Sequence, residues 1–226
     1  MSPPWTLETV AAMVPHGSRV LDLGCGDGAL LSHLQTHRGC TGYGVEIDDE
    51  NVAACIARGV QVIQLNLDQG LAMFADQSFD VVLQIDTLQH LRNAETMLME
   101  TLRVGRMGIV TFPNFAHWFN RVSVMFGRMP VTRKLPYQWY DTPNIRVATY
   151  ADFEALVRDK GLHLQKAFGL NEQSGQLGPQ LATAWKIDPA WKTITFALRQ
   201  GVKLHNDAGE FSARDVAHSF KNRIQD

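Results

Sequence analysis

The sequence predicts an α/β fold: a doubly wound, mostly parallel sheet carrying a small α+β appendage at its C-terminal end. Three observations predict it. Short apolar runs of strand length alternate with helix-length segments between residues 19 and 112. The first run ends in a glycine-rich turn, RVLDLGCGDGALL at 19–31, that opens into a helical pattern. After residue 168 the style of the sequence changes. Parallel β-α-β units need crossovers, and right-handed crossovers place helices on both faces of the sheet.

Each element has its own reason. Leu7–Val14 is a short helix closed by Pro15 and Gly17, and Arg19–Leu23 is a buried strand. Gly28–His37 is the next helix, Thr41–Ile47 the second strand and Glu50–Arg58 the second crossover helix. Asp48 and Asp49 fall at that helix start, where carboxylates complement the positive end of the helix dipole. Val60–Leu65 and Phe79–Ile85 are the third and fourth strands; a helical stretch to Leu102 precedes the fifth, Arg106–Phe112. From Pro113 to Arg146 the pattern breaks into a segment rich in aromatic residues, proline and arginine. Thr149 then caps a helix over Asp152–Lys160, ended by Gly161, and Leu162–Phe168 is a further strand. GLNEQSGQLGPQL at 169–181 reads as a linker. Thr193–Leu198 alternates as a strand with one apolar face, and Ser212 with Asp215 opens a helix reaching Ile224.

Composition narrows the function. The 226 residues carry a formal net charge of −2 and 45% hydrophobic residues, ordinary for one globular domain or a domain with an appendage. Nothing in this balance favours bulk nucleic-acid or membrane affinity. No apolar run approaches the roughly 20 residues that span a bilayer. The first residues lack the basic start of a secretory signal. Three scattered cysteines, Cys25, Cys40 and Cys55, make no disulfide framework and suit a reducing cytoplasm. The histidines, His90, His117, His163 and His205 among them, show no metal-ligand spacing, so no metal site is expected.

The glycine turn could hold a dinucleotide, a mononucleotide or a ligand without phosphate. Gly24, Gly26 and Ala29 fit the dinucleotide spacing G-x-G-x-x-G/A. Asp22 and Asp27 flank the loop, however, and two carboxylates repel a pyrophosphate while suiting an ammonium and a sulfonium. Glu46 ends the next strand, where a carboxylate can accept hydrogen bonds from both ribose hydroxyls, as NAD would also require. No Tyr-x-x-x-Lys pair and no Cys–His arrangement suited to hydride transfer follows.

VLDLGCGDG (20–28), YGVEID (43–48), Asp68 in LNLDQGL and FDVVLQIDTLQHL (79–91) together resemble the successive motifs of class I S-adenosylmethionine-dependent methyltransferases. The resemblance implies a Rossmann-like methyltransferase sheet. Asp22 and the backbone of Gly24, Cys25, Gly26 and Gly28 would face the methionine part of S-adenosylmethionine or S-adenosylhomocysteine. Glu46 would hold the ribose with Ile47 beside it, Leu67 and Asp68 would sit at the adenine, and Gln84 would lie beneath the transferred methyl. RVGRMGIVTFPNFAHW (103–118), GRMPVTRKLPYQWYDTPNI (127–145) and YADFEALVRDKGL (150–162) narrow the resemblance to the MetW family of bacterial methionine-biosynthesis proteins. That family is associated with homoserine O-acyltransferase. The implied function is therefore a cytoplasmic MetW-type methyltransferase with an open methyl acceptor. The alternative is a non-catalytic, cofactor-binding regulatory partner of a homoserine O-acyltransferase. A dehydrogenase is a third, distant reading.

Other residues carry two readings each. His90 can act as a general base beside the acceptor or cap and pack beneath the following helix. Methyl transfer to a good nucleophile needs alignment more than a base. Cys25 reads as a small side chain filling a tight turn rather than a nucleophile. In 113–146, arginines interleave with Trp118, Phe119, Tyr137, Trp139 and Tyr140. This segment is either a lid or partner-docking surface, or an irregular insertion packed on the sheet with its arginines solvated. RNA stacking is a weaker third reading, set against the acidic balance of the chain.

Residues 177–220 resemble a different family, the extracytoplasmic solute-binding proteins of peptide and nickel ABC transporters. The resemblance rests on P-x-LA-x-x-W, T-x-x-F-x-LR-x-GV-K-x-H and F-x-A-x-DV-x-x-S, with a departure at Asn206–Ala208. The chain thus divides into a methyltransferase-like domain (1–168), a linker (169–181) and an incomplete solute-binding-protein-like fragment (182–226), and reads as a fusion. The antiparallel strand that normally inserts beside the fifth strand is expected to be missing, leaving an open edge there. The tail is expected to lie loosely on the first domain rather than lend a strand to that edge.

Overall fold

A computed structural model describes residues 4–132, 135–170 and 193–200. The chain order is α1 (Pro4–Met13), β1 (Arg19–Leu23), α2 (Ala29–Arg38), β2 (Thr41–Glu46), α3 (Asp49–Ala57), β3 (Val62–Gln64), β4 (Phe79–Ile85), α4 (Ala94–Val104), β5 (Gly105–Pro113), α5 (Trp118–Met125), α6 (Tyr150–Asp159), β6 (Leu162–Leu170) and β7 (Thr193–Gln200). The strands form one sheet in the order β3-β2-β1-β4-β5-β7-β6. The first five strands run parallel. The doubly wound α/β class is therefore observed.

Alternation along the central strands divides the core in two. Val20, Val81, Leu83 and Ile109 join Val10, Leu31 and Leu34 on one face of the sheet. Leu21, Val82 and Val110 join Leu98, Leu102 and Phe153 on the other. Neighbouring residues of one strand point to opposite faces, so near-continuous apolar runs serve two helical layers at once.

Local signals set the helix boundaries. Asp48 caps α3 by accepting the Asn51 N–H at 3.0 Å, and Thr149 caps α6 by accepting the Asp152 N–H at 3.2 Å. Both positions were legible as helix starts. β3 is shorter than the expected 60–65 run, covering only Val62–Gln64. The 113–146 segment is not wholly irregular: WFNRVSVM forms α5, with His117 accepting the Phe119 N–H. Aromatic and β-branched residues have middling helix propensity, which hides this helix from pattern reading.

The expected open edge beside β5 is corrected. β7 lies between β5 and β6 and pairs antiparallel with both, Val110 facing Phe196 and Leu162 facing Gln200. Leu198 is fully buried in the core that holds Leu102, Val110 and Phe112. The loosely packed tail is corrected with it, because this strand belongs to the sheet. The reason is backbone hydrogen bonding: β5 and β6 each present an unpaired ladder, and one alternating strand satisfies both. The expected linker starts later than residue 169, since β6 runs to Leu170. The rest of that segment and the expected 212–224 helix lie outside the described residues.

Candidate functional site

The C-terminal ends of β1, β2 and β4 meet at the glycine turn, which is where open α/β sheets place their ligands. The turn is pinned to β2 by two bonds, as the N–H groups of Gly24 and Cys25 both donate to the Val45 carbonyl, at 2.8 and 3.1 Å. Gly24 has φ +72°, and a Cβ there would lie 2.6 Å from the Thr87 hydroxyl. Both the left-handed backbone and the close approach exclude a side chain. Gly26 is also left-handed, at φ +55°, yet a Cβ there would meet nothing within 4 Å. The middle of the turn therefore faces open space, while its first glycine is clamped.

Two buried carboxylates underlie this opening. Asp22 is 2% exposed, next to last in β1. Burial, and secondarily the charge of Glu46, pushes its carboxyl up to about 7. Among the described residues no cation pairs with it. Glu46, at the end of β2, is buried too. Its Oε2 accepts the Gly26 N–H at 2.8 Å. Its Oε1 accepts the N–H groups of Ile47 and Asp48, at 2.8 and 3.0 Å. One side chain thus ties the glycine turn to the β2–α3 loop. A carboxylate offers about four lone-pair sites, so three backbone donors leave room for a further donor.

Asp27 requires a correction. As a flanking carboxylate it was expected to add to the repulsion of a phosphate. It instead pairs with Arg58 of the α3 C-cap at 2.8 Å and accepts the Ala29 N–H at 3.2 Å. Its charge is countered locally, and the negative field at the turn comes from Asp22 and Glu46.

Cys25 packs inward. Its thiol lies where a side chain at Gly44 would sit, and it stands 3.7 Å from the Cys55 sulfur. Burial pushes the Cys25 thiol up, away from the thiolate. This fits the reading of a small side chain filling a tight turn.

The remaining predicted residues spread outward from the turn. Ile47 is 59% exposed directly after Glu46, an apolar shelf beside the opening. Leu67 is buried and starts a short 3-10 turn, Leu67–Gln69. Asp68 in that turn accepts the Arg92 N–H at 2.9 Å, joining it to the segment before α4. Gln84 is not gathered with these groups in the same way. It is fully buried, and its amide donates to the Thr101 hydroxyl of α4 at 2.7 Å. His90 is exposed, with Nδ1 3.2 Å from the Pro143 carbonyl. That contact, with the Ile145 and Arg146 N–H groups donating to the Gln89 carbonyl at 3.0 Å, fastens the 113–146 insert to the end of β4.

Thr87 is the site residue that pattern reading missed. Its hydroxyl donates to the Leu23 carbonyl at 2.9 Å, docking the turn after β4 onto the glycine turn. The only available signal was its place in IDTLQHL, just past a strand end. Among the described residues no group of His, Cys, Asp and Glu could hold a metal ion, and no helix is long and apolar enough to cross a membrane.

Comparison with known proteins adds to this geometry. Residues 6–194 match the family described as Methionine biosynthesis protein MetW. Residues 176–226 match the middle region of family 5 of the bacterial extracellular solute-binding proteins. A bifunctional methionine biosynthesis protein MetXA/MetW of Rhodopirellula baltica is 40% identical over 160 residues, 66% of this chain and 26% of that protein. A 2-methyl-6-phytyl-1,4-hydroquinone methyltransferase of Synechocystis is 31% identical over 133 residues, 56% of this chain and 41% of that protein. The chain therefore spans well under half the length of these relatives. Among solved structures, an S-adenosylmethionine-dependent methyltransferase of Thermotoga maritima superposes with TM-score 0.63 at 19% identity, covering 86% of each chain. One of Mesorhizobium loti superposes with TM-score 0.62 at 15% identity, covering 85% of this chain and 96% of that one. At these identities the likeness is one of fold.

Proposed function

Because the chain belongs to the MetW family of methionine biosynthesis proteins, we propose that its glycine turn binds S-adenosylmethionine or S-adenosylhomocysteine as a methyltransferase-type cofactor site. The observation that carries this reading is Asp22: a buried carboxylate with no cation paired to it among the described residues, at an opening whose other charge, Glu46, is also negative. A pyrophosphate would add charge of the same sign, whereas the ammonium of a methionine moiety supplies the missing counter-charge. The residues present fit the group. The Gly24, Cys25, Gly26 and Gly28 backbone gives close approach, and the free capacity of Glu46 suits a ribose hydroxyl. Ile47 and Leu67 offer apolar contact to an adenine, with Asp68 at its polar edge.

S-adenosylmethionine, when bound, supplies an electrophilic methyl group. The chain's own work is to orient it: Asp22 holds the ammonium, Glu46 fixes the ribose against the turn, and Thr87 keeps the turn after β4 in register with both. Gln84, read as lying beneath the transferred methyl, is held in place by its hydrogen bond to Thr101. The first test is isothermal calorimetry with S-adenosylhomocysteine on the wild-type chain and on Asp22→Asn, which is expected to bind more weakly through lost attraction to the ammonium. An increase in affinity would return the site to a phosphate ligand.

A second reading, a non-catalytic regulatory partner of a homoserine O-acyltransferase, is favoured by one observation. The insert beside His90 exposes Trp139 and Tyr140 at 73% and 71%. Such residues anchor interfaces, and the Rhodopirellula relative is described as MetXA/MetW in one chain. A methyl-acceptor screen against a pull-down with a homoserine O-acyltransferase separates the two readings. We read the chain as a MetW-type domain joined to a solute-binding-protein-like segment, a reading supported by family matches over 6–194 and 176–226. Transport function is not carried over with that segment.

A further inference from the structure

Helix α5 packs with its polar side inward. Asn120 is its only buried residue, and the Asn120 amide donates to the Phe115 carbonyl at 3.1 Å. Trp118, Val122, Met125 and Phe126 recur at i, i+4, i+7 and i+8, the spacing of one helical face. At 3.6 residues per turn this face, with Phe119 at its edge, lies opposite Asn120. Each of the five side chains is between 38% and 75% exposed. An amphipathic helix ordinarily buries its apolar stripe against the core. An exposed apolar patch rimmed by polar residues marks a surface that meets a partner or a membrane.

Charge selects between these occupants. The chain's net charge of −2 conceals a division: residues 113–146 hold five basic residues and one acidic residue, Asp141, and so carry +4, which leaves −6 on the rest of the chain. Two of these cations border the apolar arc, Arg121 within α5 and Arg128 just past its end. The Arg121 Nε donates to the Ala116 carbonyl at 2.7 Å. Among the described residues no carboxylate pairs with either arginine. A second copy pairing face to face would set +4 against +4. A protein partner would need an apolar groove cut to a convex helix and rimmed by carboxylates. An anionic lipid surface meets both demands with no groove, because the headgroups take the arginines and the acyl boundary takes the apolar arc. The −6 on the remaining residues turns them away from the same surface, which fixes the orientation.

We propose that α5 is a peripheral membrane contact that lies in the interface of an anionic bilayer, with Trp118, Phe119, Val122, Met125 and Phe126 inward and Arg121 and Arg128 at the headgroups. The helix lies on the membrane and does not span it. The contact uses neither the glycine turn nor Trp139 and Tyr140, so it stands or falls independently of the cofactor and of the acyltransferase partner.

The test is co-sedimentation of the full chain with phosphatidylcholine vesicles, with and without phosphatidylserine. Binding is expected with the phosphatidylserine vesicles and is expected to fall as salt is raised. A basic residue close to an anionic surface is worth about fivefold in affinity, so Arg121→Gln combined with Arg128→Gln is expected to cost roughly twenty- to thirtyfold. Phe126→Ser is expected to cost about tenfold or more through lost apolar burial. Arg106→Gln, at the start of β5 and so at the opposite edge of the sheet, is expected to bind as wild type does. All four positions are exposed, so these variants are expected to keep the fold. S-adenosylhomocysteine affinity of each is expected to match wild type, and a failure of the cofactor reading is seen there separately. Three results would each overturn the proposal: no binding to phosphatidylserine vesicles, an equal loss in Arg106→Gln (charge then acts without the helix), or full binding in Phe126→Ser. Capture of a homoserine O-acyltransferase by wild type and not by Phe126→Ser, without vesicle binding, would assign the arc to a protein instead.

Discussion

Glu46 Oε2 accepts the Gly26 N–H at 2.8 Å, although the two residues stand 20 positions apart on different strands' loops. With Ile47 and Asp48 bonded to Oε1, a single buried carboxylate shapes both loops that would frame a nucleoside. Its proposed role toward ribose is thus built on a structural one.

Glu46→Ala is expected to weaken S-adenosylhomocysteine binding by roughly 1.5–3 kcal/mol, the range for hydrogen bonds to a charged group, and to lower stability by about 1–3 kcal/mol through orphaned backbone donors. Calorimetry and denaturant unfolding measure the two effects. Unchanged affinity in a folded variant would show that the carboxylate serves the loops alone.

Asp22 predicts a pH dependence. Its carboxyl lies at about 7 in the folded chain against an ordinary 3.8, so the native state holds this proton more tightly than the unfolded one. Its contribution to stability is complete below pH about 4 and is lost as the pH rises through about 7. Asp22→Asn removes that loss. Its thermal midpoint relative to wild type is expected to climb between pH 4 and 7 and to level off above about 8. A difference independent of pH would contradict the buried, unpaired carboxylate.

Two of the three left-handed glycines of the turn, Gly24 and Gly26, separate strain from crowding. Gly26→Ala meets open space and bears only the left-handed backbone penalty, about 1–2 kcal/mol. Gly24→Ala adds a clash with the Thr87 side chain and is expected to be clearly the more destabilising in urea unfolding. Equal effects would mean that Thr87 yields without cost.

β7 carries the fourth prediction. Ala197 pairs with Ile109 of β5 and Lys166 of β6 at the centre of a three-strand ladder. Ala197→Pro places a residue without an N–H at the centre of the sheet and is expected to lower the urea midpoint clearly and to promote association through the exposed edges. S-adenosylhomocysteine affinity of the folded fraction should be nearly unchanged, because each proposed ligand residue precedes Leu91. A large loss of affinity would mean that the sheet edge and the site are coupled.

The parallel half of the fold was legible because its strands and caps are local signals: apolar runs, Asp48 and Thr149. Of the candidate site, the motif named Asp22, Gly24 and Glu46, and the structure brings the glycine turn and Glu46 together. What sequence could not supply was pairing across distance. Arg58 neutralises Asp27 from another helix, Thr87 reaches the Leu23 carbonyl, and three backbone N–H groups converge on Glu46. β7 was misjudged for a related reason. Its alternation was visible, but the resemblance of its surroundings to another family suggested that it would not fit, whereas two open ladders accept any strand of suitable alternation. α5 was hidden by residues that favour no helix on their own.

The central claim is that the glycine turn, governed by Asp22 and Glu46, takes a phosphate-free nucleoside that carries an ammonium group. The most direct measurement is side-by-side calorimetry of the wild-type chain with S-adenosylhomocysteine and with NADH at pH 8, where Asp22 is ionised. The account predicts saturable binding of S-adenosylhomocysteine and far weaker binding of NADH, whose pyrophosphate meets two carboxylates. Tighter binding of NADH would contradict it.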